Sequence, residues 1–176
     1  FTDGEAGIDG RDPEQAGPLR RDEEVRSAAE VGVHTVEFLG HPDGLVQADL
    51  ALRADLARMI RRHRPEVLVS INFRDSFGGT GWNHADHRHV GVALLDAARD
   101  AGNRWLFTEQ LDEGLEPWPG VRFALFGGSP GATHGVDITD SLVAGIASLE
   151  QHRVYLDALP DGTTGHVWAH GVLREG

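Results

Sequence analysis

The segment Glu66-Val67-Leu68-Val69-Ser70-Ile71-Asn72 constrains the fold more than any other part of the chain. It is a short, nearly continuous apolar run rich in β-branched residues, with Pro65 before it and a Gly-rich loop, 73–82, after it. Such a run suits a strand buried on both faces of a parallel sheet. Helical periodicity flanks it. Residues 49–63 place Leu52, Leu56, Met59 and Ile60 at helical spacing, and residues 84–101 place Val90, Leu94, Ala97 and Ala98 on one face. Further strands are predicted over 34–39 and 121–126, and further helices over 20–31 and 141–159, the last with Leu142, Ile146 and Leu149 inward. Alternating β and α with short links argues for an α/β fold built on an open, mostly parallel sheet. In that architecture ligands sit at the carboxyl ends of the strands. Residues 1–160 read as a single domain; the stretch 161–176, rich in Gly and Thr, carries no clear pattern.

Composition narrows the chemistry. The net charge is −12, which repels phosphate backbones and anionic lipids, so neither nucleic acid nor a membrane is expected as a partner. The one basic cluster, Arg61-Arg62-His63-Arg64, falls at a helix end, where cations complement the dipole. No apolar stretch reaches the ~18 residues of a membrane helix. Phe1-Thr2-Asp3-Gly4 has neither a basic start nor an apolar h-region, and the expected location is the cytoplasm. Without Cys, thiol catalysis, disulfides and cysteine metal sites are excluded. All 16 basic residues other than His are Arg, so Schiff-base and phosphate-loop lysines are excluded too. What remains is His, Asp, Glu, Ser and a metal.

The histidines converge on Asn83-His84-Ala85-Asp86-His87-Arg88, just after the central strand and its loop. Asn83 is a good N-cap, with Asp86 at the capping-box position. His84 and His87 then share a face of the first turn, where the helix N-terminus disfavours imidazolium. Neutral imidazole is the form that ligates a metal, and Asp86 is placed to fix a ring's tautomer. A capped surface helix with incidental histidines fits the same spacing. Gly127-Gly128-Ser129-Pro130-Gly131 matches the G-x-S-x-G elbow of serine hydrolases, but the residues after it read as extended rather than helical, so a Gly-rich turn is the better reading.

In order along the chain, Thr2-Asp3-Gly4-Glu5-Ala6-Gly7, Arg20 with Glu23, Phe38-Leu39-Gly40-His41-Pro42-Asp43-Gly44, Arg64-Pro65-Glu66-Val67-Leu68-Val69, His84-Ala85-Asp86-His87-Arg88 and Ala147-Ser148-Leu149-Glu150-Gln151-His152-Arg153 together resemble the LmbE-like or PIG-L deacetylases. These are zinc-dependent enzymes that remove acyl groups from N-acetylglucosamine-like sugars, on a Rossmann-like sheet with helices on both faces. The resemblance implies His87 as a zinc ligand. It implies His84 as the group that stabilises the tetrahedral intermediate or protonates the leaving amine, and Asp86 as the carboxylate that positions it. Arg20 and Asp43 match positions associated with the sugar. One zinc ion is the implied cofactor and a small amino sugar the implied substrate; oligomeric state is unreadable. The family's His-Pro-Asp-Asp-Glu signature and its first strand are expected about 30 residues before Thr2, so the chain reads as N-terminally incomplete. His41-Pro42-Asp43 imitates that signature but lacks its second Asp and follows a later strand. The competing readings are a non-catalytic homologue that keeps the fold for binding or assembly, and a serine hydrolase using Ser129.

Overall fold

In the computed structural model, which describes residues 1–78 and 81–159, the elements run α1 (Pro13–Glu30), α2 (Leu50–His63), β1 (Val67–Ile71), α3 (Ala85–Asp100), α4 (Glu109–Asp112), β2 (Phe123–Gly127), a 3-10 turn (Thr139–Ser141), α5 (Leu142–Leu149) and α6 (Arg153–Asp157). They fall in two compact units, one made of Leu45–Thr133 and one of Phe1–Gly44 with the residues from His134 onward. The stretch 161–176 lies outside the described residues.

In the first of these units, β1 and β2 are parallel, with Val67 opposite Phe123 and Ile71 opposite Gly127. A parallel pair needs a long crossover, and α3 and α4 fill it. The core is the α2–α3 pair: Leu52, Leu56, Ala57 and Ile60 are buried on one helix, and Val90, Ala93, Leu94 and Ala97 on the other. Asp49 caps α2 by accepting from the Leu52 N–H at 2.9 Å. The helix stops at Arg64, a left-handed C-cap at φ 51° whose N–H donates to the Ile60 carbonyl, and Pro65 after it cannot continue the helix. Arg61, only 2 % exposed, donates to the carbonyls of Ala101, Asn103, Leu106 and Phe107 and to Gln110 Oε1, which compensates the burial of its charge.

The parallel pairing follows the sequence reading, but burial on both faces does not. Val67, Val69 and Ile71 share one exposed face of β1, with Val69 74 % exposed, while α3 packs against the strand. Among the described residues, two strands and one packed helix layer leave the other face uncovered.

In the other unit α1 packs on α5 and α6. It starts seven residues before the predicted helix at Arg20, because Asp12 caps it and Pro13 takes the first helical position, where a missing N–H costs nothing. Pro18 lies inside the helix and masked this start in the sequence. Residues 34–39 form no strand among the described residues: alternation alone makes no ladder without a hydrogen-bonded neighbour. The helix predicted over 141–159 breaks at Glu150-Gln151-His152 into α5 and α6. Where it breaks, the Val154 N–H donates to the buried carboxylate of Glu23 on α1.

Candidate active site

The carboxyl end of β1 runs into Asn72, a fully buried residue that organises the loop after it. Its backbone N–H donates to the Gly127 carbonyl, so the β1–β2 ladder continues one bond past the strand. Its amide donates to the Ser76 carbonyl at 2.7 Å and accepts from the Arg74 N–H at 2.9 Å. The Asn72 carbonyl in turn receives the amide of Asn83 at 2.7 Å, and the same amide reaches the Arg74 carbonyl at 2.9 Å. With its NH₂ group committed to two carbonyls, Asn83 must turn its Oδ1 outward. That oxygen lies 2.8 Å from His87 Nδ1. An amide oxygen only accepts, so Nδ1 carries the proton and Nε2 carries the lone pair. The tautomer of His87 is therefore set by a relay that starts at the end of β1.

His84 is the N-cap of α3, one residue later than the cap predicted at Asn83. Asn83 is drawn instead into the loop carbonyls, where burial makes its amide bonds worth more. The Asp86 N–H donates to His84 Nδ1 at 3.2 Å, which places the proton of the neutral ring on Nε2. Asp86 itself is buried, and its Oδ1 accepts from the Val46 N–H at 3.2 Å while lying 3.7 Å from His84 Nδ1. His89 Nδ1 pairs with the Val46 carbonyl at 2.6 Å, so α3 grips that residue by both backbone groups. The His84 and His87 rings lie 6.0 Å apart, and the Phe77 ring meets His87 edge-on at 6.4 Å. His84 is exposed.

Arg20 and Asp43 belong to the other unit. Asp43 ties two segments together: its carboxylate accepts from the Thr2 hydroxyl at 2.9 Å and the Ala6 N–H at 3.1 Å, while its own N–H donates to Glu5 at 2.8 Å. Arg20 lines a cavity of about 280 Å³ with Thr2, Asp3, Gly4 and Phe38. Its guanidinium pairs with Glu23 and lies 4.5 Å over the Tyr155 ring. Ser129 donates to the Phe126 carbonyl at 3.1 Å, and no helix follows it before Thr139. That is a turn, without the strand–Ser–helix geometry of a nucleophile elbow.

A profile of the PIG-L family, described as GlcNAc-PI de-N-acetylase, matches residues 1–98. The chain belongs to the PIG-L family. Arg20, Asp43, His84, Asp86 and His87 all lie within the matched stretch. Among curated proteins of similar sequence, a diacetylchitobiose deacetylase from Thermococcus kodakarensis is 28 % identical over 155 residues, covering 87 % of this chain and 56 % of that protein. A 1D-myo-inositol 2-acetamido-2-deoxy-α-D-glucopyranoside deacetylase from Frankia casuarinae is also 28 % identical, covering 93 % of this chain and 69 % of its own. An N,N′-diacetylchitobiose deacetylase from Pyrococcus horikoshii, solved with an inhibitor, superposes with a TM-score of 0.78 at 25 % identity, over 99 % of this chain and 62 % of that one. A conserved protein of Thermus thermophilus shares the fold with a TM-score of 0.70 at 23 % identity, over 99 % of this chain and 71 % of that one. The chain thus spans a little over half the length of the first of these relatives.

For a PIG-L protein, the sequence pointed to the histidine motif but not to the pair of asparagines behind it. Asn72 and Asn83 carry the relay to His87; the spacing of Asn83 to Asp86 marked it only as a helix cap, and no spacing marked Asn72. The one available signal was that Asn72 ends an otherwise apolar strand, where a polar residue must find partners once buried.

Proposed function

We propose that the chain forms part of a zinc-dependent N-deacetylase, which hydrolyses an N-acyl group, acetyl first, from an N-acetylglucosamine-like sugar or glycoconjugate. Residues 1–160 then act as one deacetylase-like domain. The observation that carries the reading is the Asn72–Asn83–His87 relay, which leaves Nε2 of His87 as the ring nitrogen suited to a metal. Among the described residues no three His, Asp or Glu side chains converge as a ligand set, so the residues present fit one ligand, His87. When bound, zinc supplies a polarised acyl carbonyl and an activated water.

The chain's own residues supply the rest. His84, with Nδ1 held by a backbone N–H, presents a donor at Nε2 to negative charge developing on the acyl oxygen. Asp86 holds the helix start and the Val46 backbone, and so keeps His84 in place. Arg20 and Asp43 are the proposed sugar contacts; Asp43 retains lone pairs for a sugar hydroxyl beyond the two bonds it already accepts. The substrate is a small amino sugar; the net charge of −12 disfavours nucleic acid and anionic membrane surfaces as partners, and among the described residues no helix is long and apolar enough to cross a membrane. A cytoplasmic location belongs to the proposal and is checked by fractionation.

The test is zinc content and amine release from N-acetylated glucosamine derivatives by the intact protein and by His87→Ala. The variant is expected to lose both. Equal zinc in the two would remove His87 from the ligand set, and a zinc-free, inactive wild type would favour a non-catalytic homologue that keeps the fold for binding.

A further inference from the structure

His152 sits at the break between α5 and α6, in a motif that the deacetylase reading leaves without a role. Its ring is turned inward, with a side chain only 13 % exposed. Nδ1 lies 3.1 Å from Arg20 Nη1. A guanidinium donates and never accepts, so Nδ1 must be the unprotonated nitrogen of a neutral ring. Nε2 then carries the proton, and it points toward Glu24, whose carboxylate is 3.8 Å away. Glu23, 1 % exposed, takes the same Nη1 and also the Val154 N–H at 2.5 Å. The Tyr155 ring closes the guanidinium face at 4.5 Å. Both polar contacts of Arg20 thus fall on Nη1; Nη2 makes none among the described residues, and Arg20 lines the 280 Å³ cavity.

We propose that His152 is a positioning residue for substrate binding: as a neutral acceptor, together with Glu23, it fixes the Arg20 guanidinium so that its remaining N–H groups meet an oxygen of the sugar in this cavity. The proposal rests on the reading of Arg20 as a sugar contact. Titration agrees with the geometry: burial first, then Arg20, holds the His152 pKa below the ordinary histidine range, against the opposing pull of Glu24 and Glu23.

The experiment uses the intact protein with His152→Leu, His152→Asn, Arg20→Gln and the double variant His152→Leu/Arg20→Gln. Steady-state kinetics on an N-acetylated chitobiose and NMR titration of the His152 ring are read together. His152→Leu should raise KM about tenfold with kcat nearly unchanged, the cost of one charge-assisted hydrogen bond. His152→Asn should restore most of the affinity, because its amide oxygen replaces Nδ1 as acceptor. The double variant should be no worse than Arg20→Gln alone, since the pair acts as a unit. In Arg20→Gln the His152 pKa should rise. Additive losses in the double variant, or a His152 titration unmoved by Arg20→Gln, overturns the proposal. If the titration moves but Arg20→Gln leaves KM unchanged, the pairing is real and it is the sugar-binding role of Arg20 that fails.

Discussion

Asn83 has one amide, and each of its polar atoms has an assigned partner: two carbonyls of the preceding loop for the NH₂ group and His87 Nδ1 for the oxygen. Removing it takes away the acceptor that fixes the proton on His87 Nδ1 while the ligating nitrogen stays in the sequence. Asn83→Ala is therefore expected to weaken zinc retention by about 10–100-fold without removing a ligand, the usual cost of losing an outer-shell partner. Competition with a graded series of chelators measures it; retention equal to wild type would show that His87 is oriented by something else. His84 is expected to behave differently. As a donor to developing charge, its loss costs rate, so His84→Ala should keep zinc and lose ~10²–10⁴ in turnover. A variant near wild-type turnover would reduce His84 to a helix cap. Asp43→Asn tests the decoy motif: it should weaken substrate binding and leave zinc content unchanged. Because Asp43 also binds Thr2 and Ala6, thermal melting must accompany the kinetics to separate lost affinity from a loosened loop.

At the scale of elements, the middle of α3 is held against the loop after β1 by a close approach. Gly91 lies under the ring of Phe73, and a Cβ there would collide with the Phe73 side chain. Phe73 in turn meets the Phe126 ring of β2 edge-on at 4.6 Å. Glycine is thus required in the middle of a helix where it otherwise costs stability. Gly91→Ala should destabilise by about 1–3 kcal/mol through overpacking, despite alanine's better helix propensity. Urea denaturation reads the change; a stabilised variant would mean that Phe73 moves aside at no cost. The cap of α2 is a simpler case. Asp49→Ala removes one acceptor from an otherwise orphaned N–H and should cost about 1 kcal/mol.

For the whole molecule, the buried imidazole of His152 makes stability depend on pH. Its folded pKa lies below its unfolded value, so the unfolded chain binds the proton first. Stability falls as pH drops through the unfolded value of about 6.5, and goes on falling until the folded pKa is passed. The loss in unfolding free energy between pH 7 and pH 5 should therefore be smaller in His152→Leu than in wild type. Equal slopes would place His152 outside the groups that matter. The sequence by itself determined the strands β1 and β2 and a parallel sheet to hold them, the α2 and α3 helices with their apolar stripes, and the order of family motifs that led to His84, Asp86 and His87. These are local or periodic signals: an apolar stripe, a cap, a proline stop. It misjudged what depends on distant partners. Residues 34–39 have a strand's alternation but gain no ladder, and β1 has an apolar run with one face exposed. The helix over 141–159 breaks where the carboxylate of Glu23, more than a hundred residues away, takes the Val154 N–H. The His152–Arg20 pair was invisible for the same reason; the asparagine relay, though it spans only residues 72 to 87, was hidden because loop hydrogen bonds leave no periodic signal. A hydrogen bond is specific to distance and angle, and only the tertiary structure brings residues remote in sequence to within 3 Å of one another.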